Sequence, residues 1–289
     1  MIKSDITCIV LTKNEELNIR NCLESIKDLA ERIVIVDSGS TDNTLNIARE
    51  YGCDIYKHDF KSYAHQQNWA IDNVSISTKW VYRIDADEVV TANLKKEILE
   101  QTEKHSDDDV NGFVMSFKIF FLGKLLKHAG NYPFLNLVIW KNGKGRFSER
   151  FMGEHAILSE GKSIILKNYC EHHDCKSVDT WISKHNWYAT REVIDFYERN
   201  GLNETSTNLY KNAKKTQKAR DGFYYKLPMF FRAWLYYIYR YVIKLGFLDG
   251  KAGKAYCWLQ AYWYRFLVDT KLLECKINGK GYDEPGSLK

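Results

Sequence analysis

Trp80-Val81-Tyr82-Arg83-Ile84-Asp85-Ala86-Asp87-Glu88 is the stretch that decides the fold. An apolar-rich run drives into two carboxylates one residue apart, and a third adjoins them. Trp80 to Ile84 reads as a buried strand. Residues i and i+2 of a strand point to the same side, so Asp85 and Asp87 are expected to converge where the strand ends. Two carboxylates on one point repel and desolvate badly unless a cation lies between them. Carboxylate oxygens suit Mg²⁺ or Mn²⁺, and Mg²⁺ is commonly held by one or two carboxylates plus substrate phosphates. Standing alone, an Asp-x-Asp reads as an acidic turn in water. The segments before it change that reading.

Ile6-Thr7-Cys8-Ile9-Val10-Leu11-Thr12 is continuous in apolar and β-branched residues, the pattern of a strand buried on both faces. Arg32 to Asp37 is a second strand, Asp54 to His58 a short third, and Trp80 begins a fourth. Asn14 is placed to cap a helix, with Glu15 and Glu16 at its positive dipole end. Ser38-Gly39-Ser40-Thr41-Asp42-Asn43-Thr44 is a turn and cap cluster that opens a helix through Tyr51. Tyr63 to Val74 and Ala92 to Glu103 are the next helices. This alternation predicts an α/β fold, a parallel sheet with helices on both faces. Ligands of such sheets bind beyond the carboxyl ends of the strands. Thr12, Asp37 and Asp85 all stand at strand ends, so three segments bring polar groups to one edge. Each has a plain structural reading too: Asn14 and Thr41 as helix caps, Asp37 as the start of an ordinary turn.

The totals narrow the class. A chain of 289 residues holds one large domain, or one with an appendage. The net charge of +5 makes no case for nucleic acid. Seven scattered cysteines give no paired framework and fit free thiols in a reducing compartment. Met1-Ile2-Lys3-Ser4-Asp5 holds no apolar signal core, and no run of about 18 apolar residues predicts a spanning helix. Aromatic content is 14%, much of it after Gly222.

The order Thr12-Lys13-Asn14-Glu15, then Val36-Asp37-Ser38-Gly39-Ser40-Thr41-Asp42, then Asp85-Ala86-Asp87-Glu88 resembles glycosyltransferase family 2, the inverting GT-A enzymes. The resemblance covers the first third most strongly, and the motif order is more specific than any one motif. It implies a GT-A, Rossmann-like, mainly parallel α/β sheet, a nucleotide-sugar donor, usually UDP-linked, and Mg²⁺ or Mn²⁺. By the same resemblance Asp37 accepts a hydrogen bond from the nucleotide base. Asp85 faces the ribose or the metal, and Asp87 ligates the ion on the diphosphate. Thr12 and Glu15 match positions lining the nucleotide pocket, and Asn14 between them is grouped with them. Relatives carry a Lys-Asn or Gln-Asn pair where Gln67-Asn68 stands, on a helix whose start flanks the diphosphate, so Gln67 joins the nucleotide-binding set. A solvated polar face is the other reading of Gln66, Gln67 and Asn68.

From Gly112 the pattern changes. Gly112 to Phe121, Leu135 to Trp140 and the Lys141-Asn142-Gly143-Lys144-Gly145 turn read as an antiparallel addition forming the acceptor side. His128-Ala129-Gly130-Asn131-Tyr132-Pro133 partly matches a Gly-Gly-Trp-Tyr-Pro element of lipopolysaccharide core enzymes in the family. In Phe151-Met152-Gly153-Glu154-His155, relatives have a His-Glu pair. Gly153 replaces the His, and Glu154 keeps the carboxylate that serves as catalytic base. Glu149 is its rival. Cys170-Glu171-His172-His173-Asp174-Cys175 has zinc-binding residue types without a standard finger spacing. Relatives carry a His-His pair here, which implies that one histidine faces the metal or the donor phosphates. His173 is assigned as that ligand, the choice between His172 and His173 stays open, and a structural histidine is the other reading.

Ser177 to Asn200 predicts a long helix and Asn208 to Arg220 a basic one. Two apolar helices follow, Ala233 to Leu245 and Lys251 to Leu273, split by Gly246-Phe247-Leu248-Asp249-Gly250. A similar break occurs in related lipopolysaccharide and capsule glycosyltransferases. Tyr and Trp favour the lipid headgroup zone and basic residues favour anionic lipid. The expected organisation is a nucleotide-sugar half over 1–110, an acceptor half over 111–176 and a C-terminal helical extension over 177–289. That extension either meets a membrane or packs its aromatics on the catalytic domain. The expected function is transfer of a hexose from a nucleotide sugar to a lipopolysaccharide, lipid-linked or polysaccharide acceptor, at the inner face of the cytoplasmic membrane. A nucleotidyltransferase needs a Gly-rich basic phosphate loop, which Thr12-Lys13-Asn14-Glu15 is not. A non-catalytic sugar-nucleotide module would bind donor without turnover.

Overall fold

Both faces of β1 (Ile6–Thr12) are buried, as its unbroken apolar and β-branched sequence requires. Ile6, Cys8 and Val10 enter a core shared with α1 (Ile19–Ile26), while Thr7 and Ile9, out of phase with them, are covered on the other side. A computed structural model describes residues 4–130, 134–148, 155–201 and 224–282. They fall into two units divided in the main after Cys175, with residues 121–130 belonging to the second.

In the first unit, β1 is flanked in parallel by β2 (Arg32–Asp37) and by β4 (Trp80–Asp85), and β3 (Asp54–Lys57) lies outside β2. Beyond β4 come β8 (Phe134–Lys141), antiparallel to it, then β6 (Val110–Phe121), β11 (Lys162–His173) and β5 (Glu88–Val90). The mainly parallel sheet is thus present, and its second half is mixed: β8 is antiparallel to β4 and β6, β5 is antiparallel to β11, and β6 and β11 run parallel. β9 (Gly145–Phe147) and β10 (Ala156–Leu158) form a separate ribbon. At Gly145 a Cβ would stand 2.2 Å from the Trp140 ring, so only glycine fits that approach. Connecting helices are α2 (Thr44–Glu50), α3 (Tyr63–Asn73) and α4 (Ala92–Lys104). Ser62 Oγ accepts from His65 N–H (3.0 Å) at the start of α3, and Thr91 Oγ1 from Leu94 N–H (3.3 Å) at α4. Each cap contributes about 1 kcal/mol. Sheet register sets Thr12 opposite Asp37 and Leu11 opposite Asp85, which aligns the polar strand ends along one edge.

The second unit holds β7 (Lys124–Leu125), α5 (Val178–Gly201) and the helical C-terminal stretch. Ala189 and Val193 of α5 pack on Tyr264, Val268, Leu272 and Cys275 of the Tyr264–Asn278 helix. Two groups of buried charges there are paired. Arg232 and Asp269 form an ion pair closed to water, and Glu192 accepts from Tyr225 Oη (2.7 Å), Tyr264 Oη (2.6 Å) and Arg265 Nη1 (2.7 Å). The Gly-Phe-Leu-Asp-Gly break is a 3-10 turn, Gly246–Asp249, between Leu245 (φ 60°) and Gly250 (φ 64°). Its Asp249 carboxylate takes three consecutive amides, Lys127 N–H (3.1 Å), His128 N–H (2.8 Å) and Ala129 N–H (2.6 Å). The flanking helices are not uniform α: Tyr239–Ile243 and Cys257–Trp263 are π-helical.

Candidate active site

The loops after β1 and β2 are stitched together. Lys13 Nζ donates to Ser38 O (3.0 Å) and Gly39 O (2.7 Å). Asn14 N–H donates to Ser40 Oγ (2.9 Å), and Asn14 Oδ1 accepts from Thr41 N–H (2.8 Å). Glu15 N–H reaches Thr44 Oγ1 (2.7 Å), Glu16 N–H reaches Asp42 Oδ2 (3.1 Å), and Asn43 N–H returns to Glu16 Oε2 (3.0 Å). Asn14 has φ 54°, a conformation asparagine tolerates better than most residues. It therefore caps the neighbouring loop. The expectation that it caps α1 is corrected, because α1 begins at Ile19 after a turn from Glu15, with Asn18 at its N-cap position. Thr41 likewise serves this stitch, and α2 starts at Thr44.

Asp37 is 1% exposed and lies under this stitch. Its Oδ1 accepts from Thr12 Oγ1 (2.9 Å) and Ser40 Oγ, and its Oδ2 from Gly39 N–H (2.9 Å) and Ser40 N–H (2.8 Å). A carboxylate has about four such places, and all are taken. Asp37 thus anchors the loop, and a nucleotide base reaches it only by displacing one of these donors. Thr12 is buried with it.

At the end of β4 the strand stops at Asp85, and Ala86-Asp87 is a turn into β5. Asp85 and Asp87 are therefore not partners by strand parity, as the spacing had suggested. Parity instead pairs Arg83 with Asp85: Arg83 Nη1 donates to Asp85 Oδ2 (3.0 Å) and to Glu88 Oε1 (3.3 Å). Glu88 Oε2 accepts Asp85 N–H (3.1 Å). Burial pushes the Glu88 carboxyl up, opposed by Arg83 and reinforced by Asp85 and Asp87. Tyr63 Oη, on α3, donates to Asp85 Oδ1 (2.8 Å), and burial keeps that hydroxyl protonated. Gln67 Nε2 donates to Tyr63 Oη (3.3 Å), and Gln67 Oε1 is buried with no partner among the described residues. Gln66 and Asn68 are buried as well. Gln66 Nε2 ties to Ser38 Oγ (3.0 Å) and His58 O (2.9 Å), and Asn68 pairs with the Phe147 backbone (3.0 and 2.9 Å). The solvated-face reading of this triplet is corrected.

Asp87 meets β11. His172 Nε2 is 3.2 Å from Asp87 Oδ2, and His173 N–H donates to Asp87 O (2.7 Å). The side chain expected here, His173, instead pairs through Nε2 with Glu171 Oε2 (2.8 Å) and stacks on Phe120 (ring centres 4.0 Å apart). Among the described residues no three His, Cys, Asp or Glu side chains form a ready metal cluster. Asp87 and His172 offer a carboxylate and an imidazole side by side. This fits a divalent ion that takes its remaining ligands from a diphosphate and water, as Mg²⁺ does. Glu154 and Glu149 lie outside the described residues.

Tyr63 and Arg83 were not assigned from sequence, and His172 was left open beside His173. The signal for Arg83 was a lone charge in an apolar strand, two residues before Asp85. For Tyr63 the sequence held only its nearness to the motifs, and for His172 the His-His pair did not say which ring turns to Asp87.

Residues 7–161 match the glycosyl transferase family 2 model, more than half of the chain. An uncharacterized glycosyltransferase of Rickettsia conorii is 25% identical over 298 residues, spanning 98% of this chain and 96% of that one. The lipopolysaccharide core biosynthesis glycosyltransferase LpsC of Rhizobium meliloti is 31% identical over 164 residues, 55% of this chain and 59% of LpsC. Among solved structures, the mannosyltransferase PcManGT from Pyrobaculum calidifontis, in complex with GDP-Man and Mn²⁺, superposes with a TM-score of 0.54 at 15% identity. That superposition covers 94% of this chain and 88% of PcManGT, and it is a likeness of fold. With the stitched loops, the aligned strand ends and the family match over residues 7–161, the chain belongs to glycosyl transferase family 2.

Proposed function

We propose that the protein is an inverting, metal-dependent glycosyltransferase that moves a hexose from a UDP-linked donor to a lipopolysaccharide, lipid-linked or polysaccharide acceptor. The observation that carries this is the Asp87–His172 pair beside the Asp85–Arg83–Glu88 group, on the edge shared with Thr12 and Asp37. The stitched loops, with Asn14 and Glu15, wall the nucleotide side. Arg83 and Tyr63 fix the direction of the Asp85 carboxylate, and Gln67 braces Tyr63. Asp87 and His172 hold Mg²⁺ or Mn²⁺, with Asp85 nearby. When bound, that ion offsets the charge that develops on the leaving diphosphate. Glu154 takes the proton of the acceptor hydroxyl as it attacks the anomeric carbon opposite the leaving group, so configuration inverts. Its support is its sequence match to the family's carboxylate. The acceptor class is supported by the likeness to LpsC, and the nucleotide-sugar and Mn²⁺ requirements by the shared fold with PcManGT. Action at the inner face of the cytoplasmic membrane belongs to the same reading. The test is incubation with a panel of UDP- and GDP-hexoses and Mn²⁺, followed by analysis of the released nucleotide. Release of UDP is the expected result. Pyrophosphate release would mean nucleotidyl transfer, and binding without release a non-catalytic module.

A further inference from the structure

The second unit presents a concentration of apolar side chains to solvent. Val242, Ile243, Leu245, Phe247 and Leu248 are 43–66% exposed, five large apolar residues within seven positions. They sit at the corner where the Tyr239–Ile243 π-helical turn gives way to the Gly246–Asp249 turn. A corner in water is ordinarily polar. This one places a leucine, Leu245, at φ 60° and turns its apolar groups outward. A strip of rings continues from it. Phe247 meets Tyr241 (ring centres 6.2 Å apart), Tyr241 stacks on Tyr237 (5.4 Å), and Tyr237 meets Trp258 (5.8 Å). Trp258 meets Tyr262 (4.7 Å), and Tyr262 meets Phe266 (5.7 Å). Trp258 is 51% exposed and Phe266 38%. A continuous apolar surface of this kind marks an interaction site.

The exposed charge around it is one-sided, since the Asp249 carboxylate is engaged by the amides of Lys127, His128 and Ala129. Lys244, Lys251 and Lys254 are exposed at the corner and just after it. Residues 176–289 carry twenty Lys and Arg against eleven Asp and Glu, although the whole chain is only +5, so the first 175 residues are net acidic. Such asymmetry between halves points to a negatively charged surface. A second copy of the chain would set lysine against lysine.

We propose that the Val242–Leu248 corner and the ring strip behind it are the face by which the protein docks on an anionic lipid surface. The corner enters the boundary between headgroups and acyl chains, the Tyr and Trp rings lie at headgroup level, and Lys244, Lys251 and Lys254 meet lipid phosphates. Among the described residues no helix is long and apolar enough to cross a membrane, which leaves docking in the plane of the interface. The inference deepens the membrane part of the function proposed above and rests on it.

The experiment is co-sedimentation of the full chain with vesicles of phosphatidylcholine alone and of phosphatidylcholine with added phosphatidylglycerol. Binding to the anionic vesicles is expected, weakening as salt is added. The triple variant Ile243→Ser, Phe247→Ser, Leu248→Ser should lose about tenfold or more in partitioning. Lys244→Glu, Lys251→Glu, Lys254→Glu together should lose the preference for anionic vesicles. All six side chains are exposed, so circular dichroism melts should match the wild type. Absence of wild-type binding, or equal binding by the apolar triple variant, overturns the proposal. So does a dimer, seen by light scattering, that the triple variant abolishes, because the face then belongs to a second copy. UDP release is measured on the same preparations. A protein that docks but turns over no nucleotide sugar sinks the transferase reading alone, and one that turns over but never docks sinks this inference with the membrane location and leaves the transfer chemistry standing.

Discussion

His172 holds Asp87 by its side chain, Nε2 to Oδ2 at 3.2 Å, while the backbone N–H of His173 holds the Asp87 carbonyl at 2.7 Å. The end of β11 thus fixes the turn after β4 from both sides. His172→Ala should weaken apparent Mn²⁺ affinity about 10–100-fold, the usual cost of removing a group that orients a metal-binding carboxylate or joins it as ligand. His173→Ala should do far less, because that ring belongs to Glu171 and Phe120. Titrating Mn²⁺ against sugar transfer for both variants checks this. The opposite ranking would return the role to His173.

Arg83 is the countercharge of a nearly closed site. Its side chain and that of Glu88 are 6% and 4% exposed. Arg83→Met keeps the bulk and leaves Glu88 buried without its cation. A loss of about 3–5 kcal/mol in unfolding free energy is expected. Arg83→Met with Glu88→Gln should recover part of that loss, since the buried Glu88 charge is gone and Asp85, which also loses Arg83, is partly exposed and keeps Tyr63. Urea unfolding of the two variants decides it. A double variant no more stable than the single one would show that Arg83 acts through packing.

Much of this was legible in sequence. The continuous apolar runs of β1, β2 and β4 permit little else, and Thr12, Asp37 and Asp85 mark where they end. Two features were not. Strand parity linked Asp85 to Asp87 only if the strand continued, and it stops at Asp85. Parity also could not choose between His172 and His173, because β11 carries irregularities in its pairing with β6, one of them between Ile165 and Tyr169. One displaced residue exchanges the two faces of a strand. Asn14 was misread because Asn fits both a helix cap and a left-handed loop position, and only its partner Thr41, 27 residues away, distinguishes them.

Asp37→Ala removes an acceptor used by four donors at once. The loop from Ser38 to Thr44 should loosen, raising the donor KM about tenfold or more while kcat at saturating donor changes little. Stability should fall by about 1–3 kcal/mol as the buried Thr12 and half-buried Ser40 donors lose their partner. Steady-state kinetics with varied donor is the measurement. A fall in kcat with an unchanged KM would contradict the loop-anchor role.

Glu154→Gln keeps size and removes basicity. It should lower kcat by about 10²–10⁴-fold and leave donor affinity intact. Glu149→Gln should do much less. If Glu149→Gln is the inactive variant, the base lies five residues upstream and the donor side of the account is unchanged.

The central claim is that Asp87 helps bind a divalent ion that in turn binds the nucleotide diphosphate. Calorimetric titration of UDP into the wild-type protein and into Asp87→Ala, each with Mn²⁺ and with chelator, tests it most directly. The account predicts UDP binding by the wild type in Mn²⁺, loss of that binding in chelator, and the same loss in Asp87→Ala in a protein that still folds. Equal UDP affinity with and without Mn²⁺, or wild-type affinity in Asp87→Ala, would contradict it.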